Sequence, residues 1–318
     1  MLNAEIDRSR RIGTEFEFAL PQIGTGTGDD VRRTLAEVLT ANGLPAIARG
    51  YSHRPLPDGI DLAIEYDASV RGESRFSGIR WQSVELKTRI LEGIDDWERI
   101  VPKALAICRY LGGRVNASTG HHVHIAMPEV RHRVASFRSL YNTLHRYEAL
   151  IYGLVAPSRR TGRYASPMPD RPGLLNDCGS LASISRVMSG HPRTSGFNAI
   201  HLFDPSPRWE SRYHGGTLDT DKARHWLRLM LRLTDHACLR TCKAAKTQLP
   251  NTRESLDKML VTIGLKVNSR VYATVSPELR QTGRYLLNRW KRLNADQPLA
   301  LPRHQRRAQQ AEPIAIPF

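Results

Sequence analysis

The chain has 318 residues, 40% of them hydrophobic, and a net charge of +16 at neutral pH, so it can form one large domain or two small ones around a sizeable core. It contains no apolar run of about 18 residues and no apolar stretch near its start, so we expect neither a transmembrane helix nor a secretory signal. Four cysteines without zinc-type or disulfide spacing indicate a reducing cytoplasm.

Alternating and helical hydrophobic patterns predict a mixed structure in chain order. Strands are expected at residues 11–20, 61–67, 81–90, 121–127, 198–203 and 207–214. Helices are expected at residues 29–43, 95–111, 133–155, 219–245 and 277–293, the first one capped by Asp29 or Asp30. Residues 157–196 are rich in Pro, Gly, Ser and Arg and indicate a long loop, which is uncommon unless it is functional.

Several predicted strands alternate between polar and apolar side chains. Residues i and i+2 of a strand point to the same face, about 7 Å apart, so Glu15 and Glu17 share one face and Phe16 and Phe18 the other. The same alternation pairs Glu65 with Asp67, Glu85 with Lys87, His122 with His124, and Glu210 with Arg212. One sheet face is therefore lined by carboxylates, imidazoles and an arginine, while helices can cover the other.

Acidic groups recur on this face, and like charges brought together are costly. Divalent cations would neutralise them, and a donor set of oxygens with few imidazoles favours Mg²⁺ or Mn²⁺ over Zn²⁺. Taken singly, each pair also fits a plain structural role, such as a solvated strand face. The pairs together predict a metal site.

The segments that carry these pairs resemble motifs of one superfamily. Residues 13–18, GTEFEF, resemble the G-x-E-x-E-F strand of glutamine synthetases, glutamate–cysteine ligases and amidoligases. Residues 118–124, STGHHVH, are similar to the amidoligase S-T-G-x-H-V-H segment, and residues 208–212, RWESR, to its late E-x-R strand. Further family positions are matched by Asp67, Glu85, Arg159 with Tyr164, Asn198 and the GTLD of residues 216–219. The sequence departs at Ala165, where many members have a cysteine.

The resemblance implies an α+β fold with a glutamine-synthetase-like antiparallel sheet. One sheet face would bind metal and ATP, and helices would pack on the other. It spans roughly residues 11–245, so we expect an amidoligase catalytic domain over residues 1–245. Residues 246–318 would form a basic helical extension whose tail after Pro298 is flexible.

The resemblance also implies an ATP-dependent carboxylate–amine ligase that works through an acyl phosphate. The implied ligands of Mg²⁺ (or Mn²⁺) are Glu15, Glu17, Glu85, His122 and Glu210. Arg212 would bind ATP phosphate or stabilise the transferring group, because its planar fork suits phosphate. His124 and Asn198 are assigned to cofactor binding, with a substrate contact as the alternative for His124.

Two further residues have roles that the resemblance leaves open. Arg159, or else Arg160, would bind the substrate carboxylate or the acyl phosphate. Asp67 would recognise or deprotonate the amine, unless it only caps a turn. The expected substrates are a small-molecule or peptide carboxylate and an amine, neither of which the sequence identifies.

Two other functions are compatible with the sequence. A metal-dependent hydrolase could use His122 and His124, although such sites usually have more imidazole ligands. The positive charge, including the arginines of residues 277–293, would suit an anionic polymer or a non-catalytic nucleic-acid-binding protein, but no recognised nucleic-acid-binding motif is present.

Overall fold

The computed structural model describes residues 2–22, 26–52, 54–72, 78–161, 164–268 and 271–295. The strands of these residues are β1 (Leu2–Ala4), β2 (Ile12–Pro21), β3 (Ala46–Ala48), β4 (Leu62–Glu65), β5 (Trp81–Thr88), β6 (Gly120–Ala126), β7 (Phe197–Asn198), β8 (Arg208–Gly215) and β9 (Tyr272–Val275). The helices are α1 (Gly28–Ala41), α2 (Ile94–Tyr110), α3 (Val134–Gly153), α4 (Pro157–Thr161), α5 (Leu181–Met188), α6 (Thr220–Leu239), α7 (Arg253–Thr262) and α8 (Pro277–Asn294). Short 3₁₀ turns occur at Pro128–Arg131 and Ile200–Phe203.

Seven of the described strands form one sheet in the order β3-β4-β5-β2-β6-β8-β7. Strands β3 and β4 run parallel, and the other neighbouring pairs of this sheet are antiparallel. The predicted α+β class with a mostly antiparallel sheet is therefore confirmed.

The strand register aligns the polar residues in rows across the sheet, because directly opposed residues of an antiparallel pair project to one face. One row joins Glu65, Glu85 and Glu17. The next row joins Lys87, Glu15 and His122, and a third joins His124, Glu210 and Asn198. Residues that are far apart in sequence thus meet on a single surface.

The other face of the sheet is apolar and packs against helices. Phe16, Phe18 and Leu86 are fully buried there. On the same face, the indole Nε1 of Trp209 donates a hydrogen bond to Thr234 Oγ1 of α6, 3.0 Å away. Helix α1 contacts β3, β4 and β5, and α3 contacts α6. The helices on this side leave the polar face free to form a site.

Two helix predictions differ in their boundaries. The N-cap of α1 is Thr27 rather than Asp29 or Asp30, because the Thr27 hydroxyl accepts from the Asp30 backbone N–H while the Asp30 carboxylate accepts from the Thr27 N–H. Helix α6 begins after the predicted cap Asp219 but ends at Leu239, short of residue 245.

Two predictions in the second half of the chain are wrong. Residues 157–196 contain helices α4 and α5 where we expected a continuous loop, and Ser180 and Ser183 form a reciprocal capping box at the start of α5. The expected strand at 198–203 is only the two-residue β7, which is followed by the 3₁₀ turn Ile200–Phe203.

The residues after 252 pack against the earlier part of the chain. Strand β9 pairs in parallel with β1. In α8, the guanidinium of Arg289 donates to the carbonyl of Leu154 at 2.6 Å. The division at residue 245 stays a prediction, and the tail after Pro298 lies outside the described residues. Within the described ranges, no helix combines the length and the apolar character needed to span a membrane.

Candidate active site

The polar face of the sheet borders a cavity of about 480 Å³, a size typical of small-molecule sites. Strands β2, β5, β6 and β8 each contribute two alternating residues to its lining. Of the predicted site residues, the cavity brings together Glu15, Glu17, Asp67, Glu85, His122, His124, Arg159, Glu210 and Arg212. Asn198 lies behind Glu210 and is not part of this lining.

The imidazole of His122 lies among three carboxylates. Its Nδ1 is 3.1 Å from Glu15 Oε2 and 3.4 Å from Glu210 Oε1, and its Nε2 is 3.4 Å from Glu17 Oε1. Glu17 is held in place because its Oε2 accepts the backbone N–H of Gly120 at 2.6 Å. The β6–β8 pairing shifts register next to His122, a bulge of the kind that often adjoins active sites.

On the β5 side, a single lysine lies between two glutamates. Lys87 Nζ is 2.9 Å from Glu85 Oε2 and 2.9 Å from Glu65 Oε2. Glu65 is fully buried and also accepts from Arg49 Nε at 2.8 Å, so its charge is balanced outside the cavity. Glu85 shares its lysine and faces the cavity, so it keeps capacity to bind a further cation.

Asp67 combines a turn with a position in the cavity. Its Oδ1 accepts the backbone N–H of Ser69 at 2.6 Å, which is the turn-capping role considered from the sequence. The same residue lines the cavity, and an oxygen of Asp67 lies within 4.8 Å of ligand atoms of both Glu17 and Glu85. Capping the turn therefore does not remove Asp67 from the site, and its role toward an amine stays a prediction.

Burial and neighbouring charges shift the pKa values of the carboxyl groups in the site. Burial, with the charge of Glu15 added, raises the pKa of Glu85 to about 9 despite the opposing Lys87. Burial also disfavours ionised Glu15, but the imidazoles of His124 and His122 outweigh it and hold the pKa of Glu15 well below its usual range. Glu85 thus holds its proton more tightly than a solvated glutamate does, and a cation bound beside it would favour the ionised form.

The donor set fits divalent cations. Two groups, Glu15–Glu85–His122 and Glu17–Asp67–Glu85, each bring three ligand atoms within 4.8 Å of one another. Carboxylate oxygens dominate both groups, as Mg²⁺ and Mn²⁺ prefer. A third group, His124–His201–Glu210, contains two imidazoles instead.

Glu210 is held from both sides by neighbours on β7 and β8. Arg212 Nη1 donates to Glu210 Oε1 at 2.5 Å, and Asn198 Nδ2 donates to Glu210 Oε2 at 2.7 Å. The Nε of Arg212 is buried and makes no hydrogen bond with the described part of the chain, and the residue lines the cavity. The observed contact of Asn198 is to Glu210, and its predicted cofactor contact stays a prediction.

Arg159 and Arg160 point to different parts of the protein. The buried Arg159 donates to the carbonyls of Thr119 at 2.8 Å and Tyr164 at 2.7 Å, and its Nε has no hydrogen-bond partner among the described residues. Arg160 instead donates to the carbonyls of Val155 and Gly153 at 3.2 Å, at the end of α3. Arg159 is therefore the better placed of the two for a substrate role, which stays a prediction.

Sequence reasoning did not find several residues of the cavity. They are His201 on the 3₁₀ turn, Arg193 and Thr194 in the segment expected to be a loop, and Tyr51 and Tyr66, which are 59% and 51% exposed. Strand alternation counted from Asn198 would have turned His201 to the apolar face. The arginine-rich composition of residues 157–196 was the one available signal for Arg193.

Fold and site together define an α+β protein with a carboxylate-rich cavity on the polar face of a mostly antiparallel sheet. The family described as "Putative amidoligase enzyme" matches residues 8–234, more than half of the chain. The chain belongs to this amidoligase family.

Comparison with solved structures found similarity to a chain from the complex between the prokaryotic ubiquitin-like protein Pup and its ligase PafA. The TM-score is 0.44 at 12% sequence identity, covering 91% of this chain and 65% of that chain. The present chain thus spans slightly less than two thirds of that chain. A search of curated proteins gave no match.

Proposed function

We propose that this protein joins a carboxylate to an amine at the expense of ATP, with Mg²⁺ or Mn²⁺ in the cavity and an acyl phosphate as intermediate. The observation that carries the proposal is the convergence of Glu15, Glu17 and Glu210 on His122, with Arg212 beside them. Family membership supports the reaction class, and this arrangement supports phosphate chemistry within it.

The cations would be held by Glu15, Glu17, Glu85, His122 and Glu210. When bound, Mg²⁺ would neutralise charge on the phosphate oxygens of the nucleotide. The raised pKa of Glu85, which burial and the charge of Glu15 cause, supports this assignment, because a cation beside the carboxyl group would offset both effects.

The reaction needs an activated carboxylate, since a carboxylate oxygen is a poor leaving group. In the proposed first step a carboxylate oxygen of the substrate attacks the γ-phosphorus of ATP, the bond to the β-phosphate oxygen breaks, and ADP leaves. In the second step the amine nitrogen attacks the acyl carbon. The carbon–oxygen bond to the phosphoryl group then breaks, releasing inorganic phosphate and a proton as the amide forms.

The protein side chains would position these groups and stabilise charge. Arg212 lines the cavity and is anchored by Glu210, so its guanidinium would bind the phosphoryl group during transfer, where preorganised donors act most strongly. Asp67 would accept the proton of the amine, which requires hydrogen-bond reach to the nitrogen. Arg159, which also lines the cavity, would orient the substrate carboxylate.

The experiment is a screen of amino acids, polyamines and peptides for release of ADP and inorganic phosphate. We expect release to require both an amine and a carboxylate, to stop on metal chelation and to resume on adding Mg²⁺. Cleavage of a substrate without release of ADP would favour the metal-dependent hydrolase instead.

The same assay can be applied to a variant in which Arg212 is replaced by Lys. Arg186→Lys, at an exposed position of α5, is its matched control.

A further inference from the structure

The third donor group of the cavity differs in chemistry from the other two. We propose that His124, His201 and Glu210 form a site for a divalent transition metal, distinct from the carboxylate-rich Mg²⁺ donors. One ligand atom from each residue lies within 4.8 Å of the others, and the two imidazole rings have centroids 5.9 Å apart.

His124 has ligand capacity that the protein does not use. Both of its ring nitrogens are buried, and neither makes a hydrogen bond with the described residues. Nε2 lies 3.3 Å from Glu15 Oε1, which makes Glu15 an ion-pair partner of the ring, whereas Nδ1 has no polar contact with the described residues. Buried polar atoms are normally paired, so the unpartnered Nδ1 points to an absent ligand.

His201 is arranged as metal-binding histidines usually are. Its Nδ1 is 3.0 Å from Asp204 Oδ2, and Asp204 is itself held by Arg208 Nη1 at 2.9 Å. A carboxylate on one ring nitrogen fixes the tautomer in which the other nitrogen carries a free lone pair. Nε2 of His201 is therefore the ligand atom. The fit depends on the 3₁₀ turn Ile200–Phe203, which brings this residue to the cavity.

Glu210 completes the group although it already accepts two hydrogen bonds. Each carboxylate oxygen has two lone pairs, so the bonds from Asn198 and Arg212 leave one lone pair on each oxygen. The positive charges of Arg208 and Arg212 would repel a metal ion at this site. Each is paired with a carboxylate, Arg208 with Asp204 and Arg212 with Glu210, which reduces that repulsion. Since Glu210 also belongs to the proposed Mg²⁺ ligands, it links the two sites.

Two imidazoles and one carboxylate favour a borderline metal such as Zn²⁺ or Co²⁺ over Mg²⁺. Three protein ligands also leave a coordination position open, as in catalytic rather than structural metal sites. Binding at this group needs neither ATP nor a substrate, so it can be measured independently of the proposed ligase activity.

The test is a titration of the metal-free full-length protein with Co²⁺ in the presence of excess Mg²⁺, followed by calorimetry and by visible absorption. We expect each wild-type chain to bind one more Co²⁺ ion than each chain of His201→Gln. The wild-type complex should also show visible absorption bands of Co²⁺ coordinated by nitrogen, and the variant should lack them. Asp204→Asn should weaken this binding by roughly 10- to 100-fold, the usual effect of losing a group that orients a ligand. Mg²⁺ binding should be unchanged in His201→Gln.

The matched control is His132→Gln, which replaces an exposed histidine elsewhere on the surface and should bind Co²⁺ as wild type does. Equal Co²⁺ stoichiometry in wild type and His201→Gln would overturn the proposal. So would displacement of all Co²⁺ by Mg²⁺. If His201→Gln fails to fold, unchanged binding by Asp204→Asn decides against the site. Absence of ADP formation by the wild type would count against the ligase mechanism alone.

Discussion

Glu17 and Glu85 face each other across the adjacent strands β2 and β5. Like charges placed directly opposite one another destabilise a sheet, and this pair is also buried. Glu65 continues the same row on β4, where Arg49 and Lys87 neutralise it. Lys87 is shared between Glu65 and Glu85, so the cavity end of the row is where a bound cation would add positive charge.

Replacing Glu85 by Gln should abolish most of the stabilisation that Mg²⁺ gives to the fold. A ligand at 100 times its dissociation constant stabilises a protein by about 2.7 kcal/mol, so the wild-type melting temperature should rise with Mg²⁺. The variant should melt at nearly the same temperature with and without Mg²⁺. Glu37→Gln, on the exposed side of α1, should respond like wild type. An undiminished shift in Glu85→Gln would remove this residue from the metal ligands.

Phe16→Ala should destabilise the protein by about 3–5 kcal/mol, because the ring is fully buried and stacks on His121 with centroids 4.4 Å apart. Urea unfolding followed by circular dichroism measures this loss. Glu17→Gln, the next residue on the opposite face, should leave metal-free stability close to wild type. If the two variants lost similar stability, the division of β2 into a core face and a site face would not hold.

Arg212→Lys should bind Mg²⁺ normally yet form ADP about 10²-fold more slowly in a single turnover. Lysine keeps the charge but loses the planar fork that holds Glu210 and that would also bind phosphate. If Arg212 serves only as the ion-pair partner of Glu210, the lysine variant would retain most of the activity. Near wild-type rates would therefore exclude a phosphoryl-binding role for this guanidinium.

Glu148→Gln should flatten the pH dependence of stability. Burial raises the pKa of Glu148 from 4.5 to about 8, although Met168 N and Tyr213 OH each donate to Oε1 at 2.9 Å. Between these two pH values the folded protein keeps a proton that the unfolded chain has lost. This residue's contribution to the free energy of unfolding therefore falls as pH rises, by up to about 1.4 kcal/mol per pH unit.

Urea unfolding at pH 5, 6, 7 and 8 would compare wild type, Glu148→Gln and the exposed control Glu254→Gln. The glutamine that replaces Glu148 can still accept both hydrogen bonds through its carbonyl oxygen, so the packing of α3 against β8 is kept. The control should retain the wild-type slope. A slope unchanged in Glu148→Gln would mean that another group dominates the titration.

Much of the site could be predicted from strand alternation, which depends on local sequence alone. The order of the strands could not. The family resemblance grouped Glu85 with Glu17 and His122 with Glu15, but the alternation alone did not show that they lie opposite each other. His201 was missed because a 3₁₀ turn interrupts the two-residue period after Asn198. The helices α4 and α5 were missed because Pro, Gly and Ser suggested a loop, although Ser180 and Ser183 form a capping box.

The parallel pairing of β1 with β9 joins residues about 270 positions apart in the chain. The ribosome therefore completes the strands of the site well before it makes the partner of β1. Arg232 of α6 likewise donates to the carbonyl of Ile263 at 3.0 Å, an acceptor that is translated after all the strands of the site. Contacts so distant in sequence slow folding. The face that carries the site is thus translated before the segment that pairs with β1.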